Sequence, residues 1–224
     1  MCRQHCTLDL AAFVPYTEVQ KQRTSIAYDR WSHVWHLARY TNYSIYRTAL
    51  ASLDVRHQRI VDVGCGTGLM SARLAATGRY VLGVDLSTSM IAQARVRTNA
   101  RLDFLHADAE NLPLEDAGYD AVVNLISFHH YPNPDKAIAE FRRVLRPGGR
   151  LVLIGFDLDS HFIRLAQRVN RWTRKIAGDA WQKHGEEVAA LVRNSGFTSV
   201  ELKPVRYWFK TFLIVADTAA ELEN

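Results

Sequence analysis

Residues 61–68, with the sequence VDVGCGTG, contain the residue types that could bind a charged ligand. Gly64, Gly66 and Gly68 have no Cβ, so the backbone can turn sharply there and approach a ligand closely. A helix that begins after such a turn offers free backbone N–H groups and the positive end of its dipole to a carboxylate or a phosphate. Asp62 adds a fixed negative charge, which is unfavourable beside a pyrophosphate and favourable beside a cationic group. The stretch therefore predicts a ligand-binding turn.

The spacing of the glycines separates this turn from two common nucleotide-binding loops. Leu69 occupies the position at which the GxGxxG fingerprint of dinucleotide-binding proteins has its third glycine. No GK[ST] follows, which excludes a P-loop. Asp85 lies about 20 residues further on, at the end of the strand-like stretch VLGVD, where an acid accepts hydrogen bonds from ribose hydroxyls. The alternative for Asp85 is a helix cap or a solvated carboxylate.

A histidine pair follows the fourth strand-like stretch. His129 and His130 are candidate catalytic residues, because imidazole titrates near neutrality and could remove a proton from a substrate. A purely structural hydrogen-bonding role is an equal alternative. Asp157 or Asp159 could orient one of these histidines, although a loop position is the favoured interpretation of both acids.

Residues 160–177 have the pattern of an amphipathic helix with a basic face. A cationic row of this kind could contact phosphates or an anionic membrane surface, and the alternative is a solvated lid helix. Peripheral membrane contact is therefore a hypothesis that depends on Arg164, Arg168, Arg171 and Lys175.

Composition limits the class of protein. The chain has 224 residues, with 48% hydrophobic and 23% charged residues, which is typical of a soluble globular protein. The longest apolar runs are far shorter than the roughly 20 residues that span a bilayer. Three cysteines without CxxC spacing favour a reducing cytoplasm and argue against a zinc site, so we expect a cytoplasmic protein without a bound metal. The net charge of +5 is compatible with an acidic partner but does not require one.

Strand-like and helix-like segments alternate over residues 59–156, which predicts a mostly parallel sheet covered by helices on both faces. Ser87 and Asn133 stand where they could cap helices. The stretch 200–217 is interpreted as two strands that turn near Pro204 and form an antiparallel pair at the sheet edge. The predicted fold class is α/β, a doubly wound, Rossmann-like sheet of seven strands with an antiparallel C-terminal edge strand.

Two parts of the chain fall outside this alternation. Residues 1–50 are predicted to form a helical segment whose aromatic residues either pack on the core or close over a substrate as a lid. Residues 51–224 are predicted to form the Rossmann-like domain, with a helical insertion at about 157–184.

Several motifs, taken in order, resemble class I S-adenosylmethionine-dependent methyltransferases of the group that includes ubiquinone and menaquinone biosynthesis enzymes. VDVGCGTG is similar to the first motif of that family and VLGVDLS to the second. LHADAENLPLEDAGYDAVV resembles the third motif and the start of the fourth strand, and FHHYPNPDKAIAEFRRVLRPGG resembles the stretch after it. The resemblance runs from about residue 28 to residue 156 and implies S-adenosylmethionine as cofactor and S-adenosylhomocysteine as product.

The resemblance also implies roles for individual residues. Asp62 and the backbone of 64–68 would hold the methionine part, and Asp85 the ribose. Asp108 would accept a hydrogen bond from the adenine amino group, beside the backbone of Ala109. The complete cofactor-binding set implied is Tyr28, Asp62, Gly64, Cys65, Gly66, Thr67, Gly68, Asp85, Leu86, Asp108, Ala109 and Asn124.

The expected activity is methyl transfer to a small-molecule acceptor, hydrophobic or lipid-like, by direct in-line displacement. One alternative is an RNA or tRNA methyltransferase, which the absence of a recognisable RNA-binding module disfavours. A second alternative is a relative that binds the cofactor without transferring the methyl group. The sequence gives no indication of the oligomeric state.

Overall fold

The computed structural model describes residues 16–35, 43–54, 56–157, 184–205 and 210–220. They form a seven-stranded sheet with the strand order β3-β2-β1-β4-β5-β7-β6. The strands are β1 (Arg59–Val63), β2 (Tyr80–Asp85), β3 (Leu102–His106), β4 (Tyr119–Leu125), β5 (Leu145–Phe156), β6 (Ser199–Val205) and β7 (Thr211–Asp217).

The central strands are parallel and buried. β1 pairs with β2 and β4, and β4 pairs with β5, all in parallel register. Their apolar runs are continuous rather than alternating, as expected for strands covered on both faces. Along β1, Val61 and Val63 pack into one hydrophobic core, whereas Ile60 packs into a second core on the opposite face. The predicted doubly wound sheet is therefore confirmed.

Six α-helices in the described part of the chain surround the sheet: α1 (Tyr16–Trp35), α2 (Tyr43–Ala51), α3 (Leu69–Ala75), α4 (Thr88–Ala94), α5 (Pro134–Val144) and α6 (Gly185–Asn194). Ser87 caps α4 as predicted, because its Oγ accepts a hydrogen bond from the backbone N–H of Met90 at 3.1 Å. Asn133 occupies the N-cap position of α5, but its side chain makes no capping bond. Its Nδ2 donates instead to Glu110 at 2.8 Å, so the side chain is held by a distant carboxylate and not by the N–H groups of its own helix.

The C-terminal strands form the antiparallel pair that the sequence predicts, with one correction to its turn. Pro204 does not mark the turn but lies within β6, where it pairs with Phe212 of β7. The connection therefore falls between Val205 and Thr211. β7 runs antiparallel to both of its neighbours and lies between β5 and β6.

Several expectations concern residues outside the described ranges. They include most of the insertion at 157–184, with Arg164, Arg168, Arg171 and Lys175, and the stretches 1–15 and 36–42 of the N-terminal segment. Within the described ranges, every helix is too short or too polar to cross a membrane.

Candidate functional site

A cavity of about 520 Å³ lies at the carboxyl ends of β1, β2 and β4, with α1 forming part of its wall. This is the edge at which open α/β sheets bind ligands. Both histidines of the predicted catalytic pair line the cavity, as do ten members of the cofactor-binding set. The two members that do not line it are Gly68 and Asn124.

The three positions in the turn require glycine for different structural reasons. All three have positive φ angles, between 54° and 75°, which L-residues with a Cβ rarely adopt. A Cβ on Gly64 would lie 2.2 Å from Oγ of Ser127, and one on Gly68 would lie 2.5 Å from the ring of Phe104. A Cβ on Gly66 would have no heavy atom within 4 Å. Gly66 is thus the position at which bare backbone borders open space in the cavity wall.

Asp85 fastens this turn to the end of β2. Its Oδ2 accepts a hydrogen bond from the backbone N–H of Gly66 at 2.8 Å, and its Oδ1 accepts one from Ser87 at 2.9 Å. An ionised carboxylate offers about four acceptor sites, so two such bonds leave acceptor capacity on the cavity side. Asp85 can therefore hold the loop and accept from a ligand hydroxyl at the same time.

Asp62 is a buried carboxylate beside a second acid. Asp62 is 2% exposed, and its Oδ2 accepts a hydrogen bond from Oγ of Ser71 at 2.6 Å. Burial, with a further contribution from the charge of Asp85, raises the pKa of Asp62 to about 7. Among the described side chains, none forms an ion pair with it. The site therefore favours a cation, which would restore the ionised form of Asp62.

Lys21 of α1 reaches the other end of the cavity. Its Nζ lies 2.7 Å from Asp108 and 2.7 Å from Glu110, and only 12% of its side chain is exposed. Oδ1 of Asp108 also accepts the backbone N–H of Glu110 at 2.9 Å. Sequence reasoning identified Asp108 but missed both of these partners.

Other residues of α1 contact the same rim. Oγ of Ser25 donates to the carbonyl of Leu86 at 3.5 Å, and Asp29 accepts from Oγ of Ser89 at 2.8 Å. Lys21, Ser25 and Asp29 recur at intervals of four residues, so they share one helix face. That polar periodicity was the signal in the sequence that could have identified this face of α1.

The histidine pair lies between α1 and β5. The rings of His129 and His130 are 4.0 Å apart, and His129 is 5.7 Å from the ring of Phe156. Nε2 of His130 shares a hydrogen bond of 2.6 Å with the hydroxyl of Tyr28. Burial lowers the pKa of His129 to about 4 and that of His130 well below its ordinary value. Both imidazoles are therefore neutral at physiological pH. Asp157, which the sequence suggested as a partner of one of these histidines, contacts His184 instead, with 3.2 Å between its Oδ1 and Nδ1 of His184.

Asn124 supports the cavity wall from behind. Its side chain is fully buried, and its Nδ2 lies 2.9 Å from the carbonyl of Val63 and 2.8 Å from both hydroxyl oxygens of Ser127 and Tyr131. This network fixes the loop after β4. Within that loop Ile126 has a φ of 55°, a strained conformation for a β-branched residue that lines the cavity.

Comparison with known proteins points to one family. Residues 61–153 match the family model of a methyltransferase domain. The chain is 38% identical over 137 residues to a demethylmenaquinone methyltransferase of Clavibacter sepedonicus, covering 59% of this chain and 55% of that protein. It is 43% identical over 108 residues to a fatty-acid O-methyltransferase of Mycolicibacterium smegmatis, covering 47% and 39%. An O-methyltransferase of Aspergillus nomiae is 32% identical over 159 residues, covering 68% and 70%. The chain thus spans roughly half the length of the first of these relatives and less of the second.

Solved structures agree in fold. A putative methyltransferase of Haloferax volcanii, in complex with an activator protein, matches 90% of this chain and all of its own, with a TM-score of 0.76 and 21% identity. A 1,6-didemethyltoxoflavin-N1-methyltransferase of Burkholderia thailandensis, solved with bound 1,6-didemethyltoxoflavin and S-adenosylhomocysteine, matches 93% of this chain and 92% of its own, with a TM-score of 0.71 and 20% identity.

Proposed function

The chain belongs to the class I S-adenosylmethionine-dependent methyltransferases, and from this premise we propose that it methylates a hydrophobic small molecule. The observation that carries the proposal is the juxtaposition of Asp62 and Gly66. A buried carboxylate with no ion-pair partner in the described structure lines the same cavity as the glycine of the turn whose missing Cβ leaves that cavity open. A ligand that is cationic at one end and must approach the backbone closely fits this pair.

The other residues of the cavity suit the remaining parts of S-adenosylmethionine. Asp85 retains acceptor capacity for the ribose hydroxyls. Asp108 and the backbone of Ala109 lie at the far end of the cavity, where they would contact the adenine. Lys21 screens the paired charges of Asp108 and Glu110 at that end.

When bound, S-adenosylmethionine supplies an electrophilic methyl carbon on a sulfonium sulfur, which leaves with the bonding electron pair. The residues of this chain have to align an acceptor with that methyl group and exclude water, and positioning of this kind supplies much of the catalytic effect. An acceptor hydroxyl must also lose its proton. A neutral imidazole beside the cavity can accept a hydrogen bond from that hydroxyl.

The rest of the cavity wall favours an apolar acceptor. Beyond the cofactor residues, the described lining includes Ile45, Tyr46, Met70, Ile126 and Phe156. Among the described lining residues Lys21 is the single lysine or arginine, and two carboxylates already neutralise it. An acceptor with a phosphate or carboxylate would find no free cation in this part of the wall. The name of one relative, which refers to demethylmenaquinone, supports the same interpretation.

Calorimetry tests the cofactor first. We expect the protein to bind S-adenosylhomocysteine, and to bind neither NAD nor FAD. Asp85→Ala should weaken S-adenosylhomocysteine binding by about 1–3 kcal/mol, because ribose hydroxyls would lose a buried acceptor. Asp103→Ala, an exposed acid on the neighbouring strand, is the matched control and should leave affinity unchanged.

The acceptor is tested by incubating the protein with methyl-labelled S-adenosylmethionine and cell extract. We expect label in the lipid or apolar small-molecule fraction, and less label with the Asp85→Ala variant when the cofactor is below saturation. Label confined to RNA would refute the proposed acceptor class. Tight cofactor binding with no label in any fraction would instead indicate a non-catalytic binding protein.

A further inference from the structure

The two adjacent histidines differ in what their ring nitrogens can reach. Nδ1 of each ring is buried, with no hydrogen-bond partner within the described structure. Nε2 of His130 is bonded to Tyr28. We propose that His129 is the histidine that contacts the acceptor, whereas His130 is a positioning residue that holds Tyr28 and, through it, helix α1 against the cavity. This inference rests on the proposed function for the acceptor and on geometry alone for the contact with α1.

The case for His130 as a positioning residue comes from its surroundings. Only 9% of His130 is exposed, and the Tyr28 ring meets its ring edge-on with centroids 5.2 Å apart. One nitrogen is thus bonded to α1 and the other is buried, so neither is available to a molecule in the cavity. Burial also raises the pKa of Tyr28, which keeps the phenol protonated and the hydrogen bond intact.

The case for His129 comes from its exposure. It is half-buried and lines the cavity, although its Nδ1 is fully buried. Of the four ring nitrogens of the pair, both Nδ1 atoms are buried and Nε2 of His130 is bonded to Tyr28. Nε2 of His129 is the nitrogen that remains for a molecule in the cavity. In a neutral imidazole this nitrogen either accepts the proton of an acceptor hydroxyl or donates to an acceptor oxygen. Phe156, 5.7 Å away, supplies an apolar neighbour for the rest of such a molecule.

The pairing of Tyr28 with His130 links parts of the chain that lie 102 residues apart. α1 carries Tyr28 two turns beyond Lys21, which is bonded at the opposite end of the cavity. The helix is thus attached at both ends of the site. Loss of the Tyr28–His130 bond should loosen α1 near the histidines without disturbing Asp62 or Asp85.

Hydrogen exchange of the ligand-free protein tests the positioning role. Tyr28→Phe should accelerate amide exchange in the C-terminal half of α1 by about fivefold, the effect of one lost hydrogen bond. His130→Phe should do the same, and His130→Gln should restore part of the protection, because its amide can still bond the phenol. Tyr80→Phe, which removes the hydroxyl of an exposed tyrosine outside the cavity, is the control and should change nothing.

Acylation with diethyl pyrocarbonate, which modifies neutral imidazoles, tests the difference between the two rings. In the wild-type protein we expect His129 to react faster than His130. The exposed His106 and the buried His57 serve as upper and lower references. Tyr28→Phe should raise the reaction rate of His130 by at least about fivefold and leave that of His129 unchanged.

Transfer assays complete the test. His129→Gln should lower label transfer, into whichever extract fraction the wild-type protein methylates, by about 100-fold at saturating cofactor. The same variant should keep its affinity for S-adenosylhomocysteine. His130→Gln should mainly raise the KM for S-adenosylmethionine, because His130 holds Tyr28 of α1 at the cavity wall, and should lower kcat much less than His129→Gln does.

The results separate this inference from the proposed function. If the wild-type protein binds no S-adenosylhomocysteine, the proposed function fails, whereas exchange and acylation still decide the roles of the two rings. The division of roles is overturned if His130 reacts as fast as His129 in the wild type. It is also overturned if Tyr28→Phe leaves α1 exchange unchanged, or if His130→Gln lowers turnover as much as His129→Gln.

Discussion

The two sides of the cavity are held together in different ways. On the glycine-turn side, Asp85 bonds backbone N–H groups that lie 19 and 2 residues away in the chain. On the α1 side, side chains bond to side chains over much longer separations, 87 residues for Lys21 and Asp108 and 102 for Tyr28 and His130. The first side is rigid backbone at the ends of central strands. The second is one helix attached at a few polar points, and helices attached in this way open at lower free energy than the core.

The largest expected effect is a loss of stability in the glycine turn, and it differs between Gly64 and Gly66. Gly64→Ala should lower the free energy of unfolding by about 2–5 kcal/mol. The new Cβ would clash with Ser127, and this clash adds to the strain of a positive φ. Gly66→Ala should lower it by only about 1–2 kcal/mol, because its new Cβ meets nothing.

Denaturant titration of both variants, followed by calorimetry with S-adenosylhomocysteine, makes the comparison. Gly66→Ala should fold and yet bind poorly, because the methyl group projects into the space that the ligand needs. Full affinity in Gly66→Ala would show that the ligand does not approach the backbone closely at this glycine.

A smaller effect concerns the charge of Asp62. Its pKa is about 7 in the folded protein and near 3.9 in an unfolded chain, so between these values the folded state binds more protons. Stability therefore falls as pH rises from about 4 to about 7 and is then constant. Asp62→Asn should remove this loss and raise the free energy of unfolding at pH 8 by roughly 2–4 kcal/mol, with little gain at pH 4.

The same variant should bind S-adenosylhomocysteine more weakly, because the cationic end of the ligand loses its counter-charge. Chemical denaturation at pH 5 and at pH 8, with Asp103→Asn as the exposed control, measures the difference. Equal stability gains at both pH values would show that Asp62 is already ionised in the free protein.

The smallest effect tests the α1 side. Lys21→Met keeps the apolar length of the side chain but leaves Glu110, whose side chain is 3% exposed, without its cation. We expect a loss of about 1–3 kcal/mol, less than in Gly64→Ala. Lys203→Met removes an exposed pair with Glu201 and should cost at most about 0.5 kcal/mol. Thermal unfolding of the two variants compares them directly.

Part of the site could be predicted because its signals are local. The turn at 64–68 follows β1 and Asp85 ends β2, and this spacing specifies where they lie in a doubly wound sheet. The side-chain role of Asn124 could not be read in this way. Its amide contacts Ser127 and Tyr131, whose proximity depends on the strained loop at Ile126.

The sequence by itself determined the strand–helix alternation, the glycine turn and the family, because each depends on residues close together in the chain. The tertiary structure decided which glycine borders the cavity, which cation neutralises Asp108 and which histidine remains accessible. These depend on where α1 packs, and that packing is set by contacts between residues about 90 to 100 positions apart. Local spacing in the sequence does not predict such contacts, because only the folded sheet brings their two partners to the same edge.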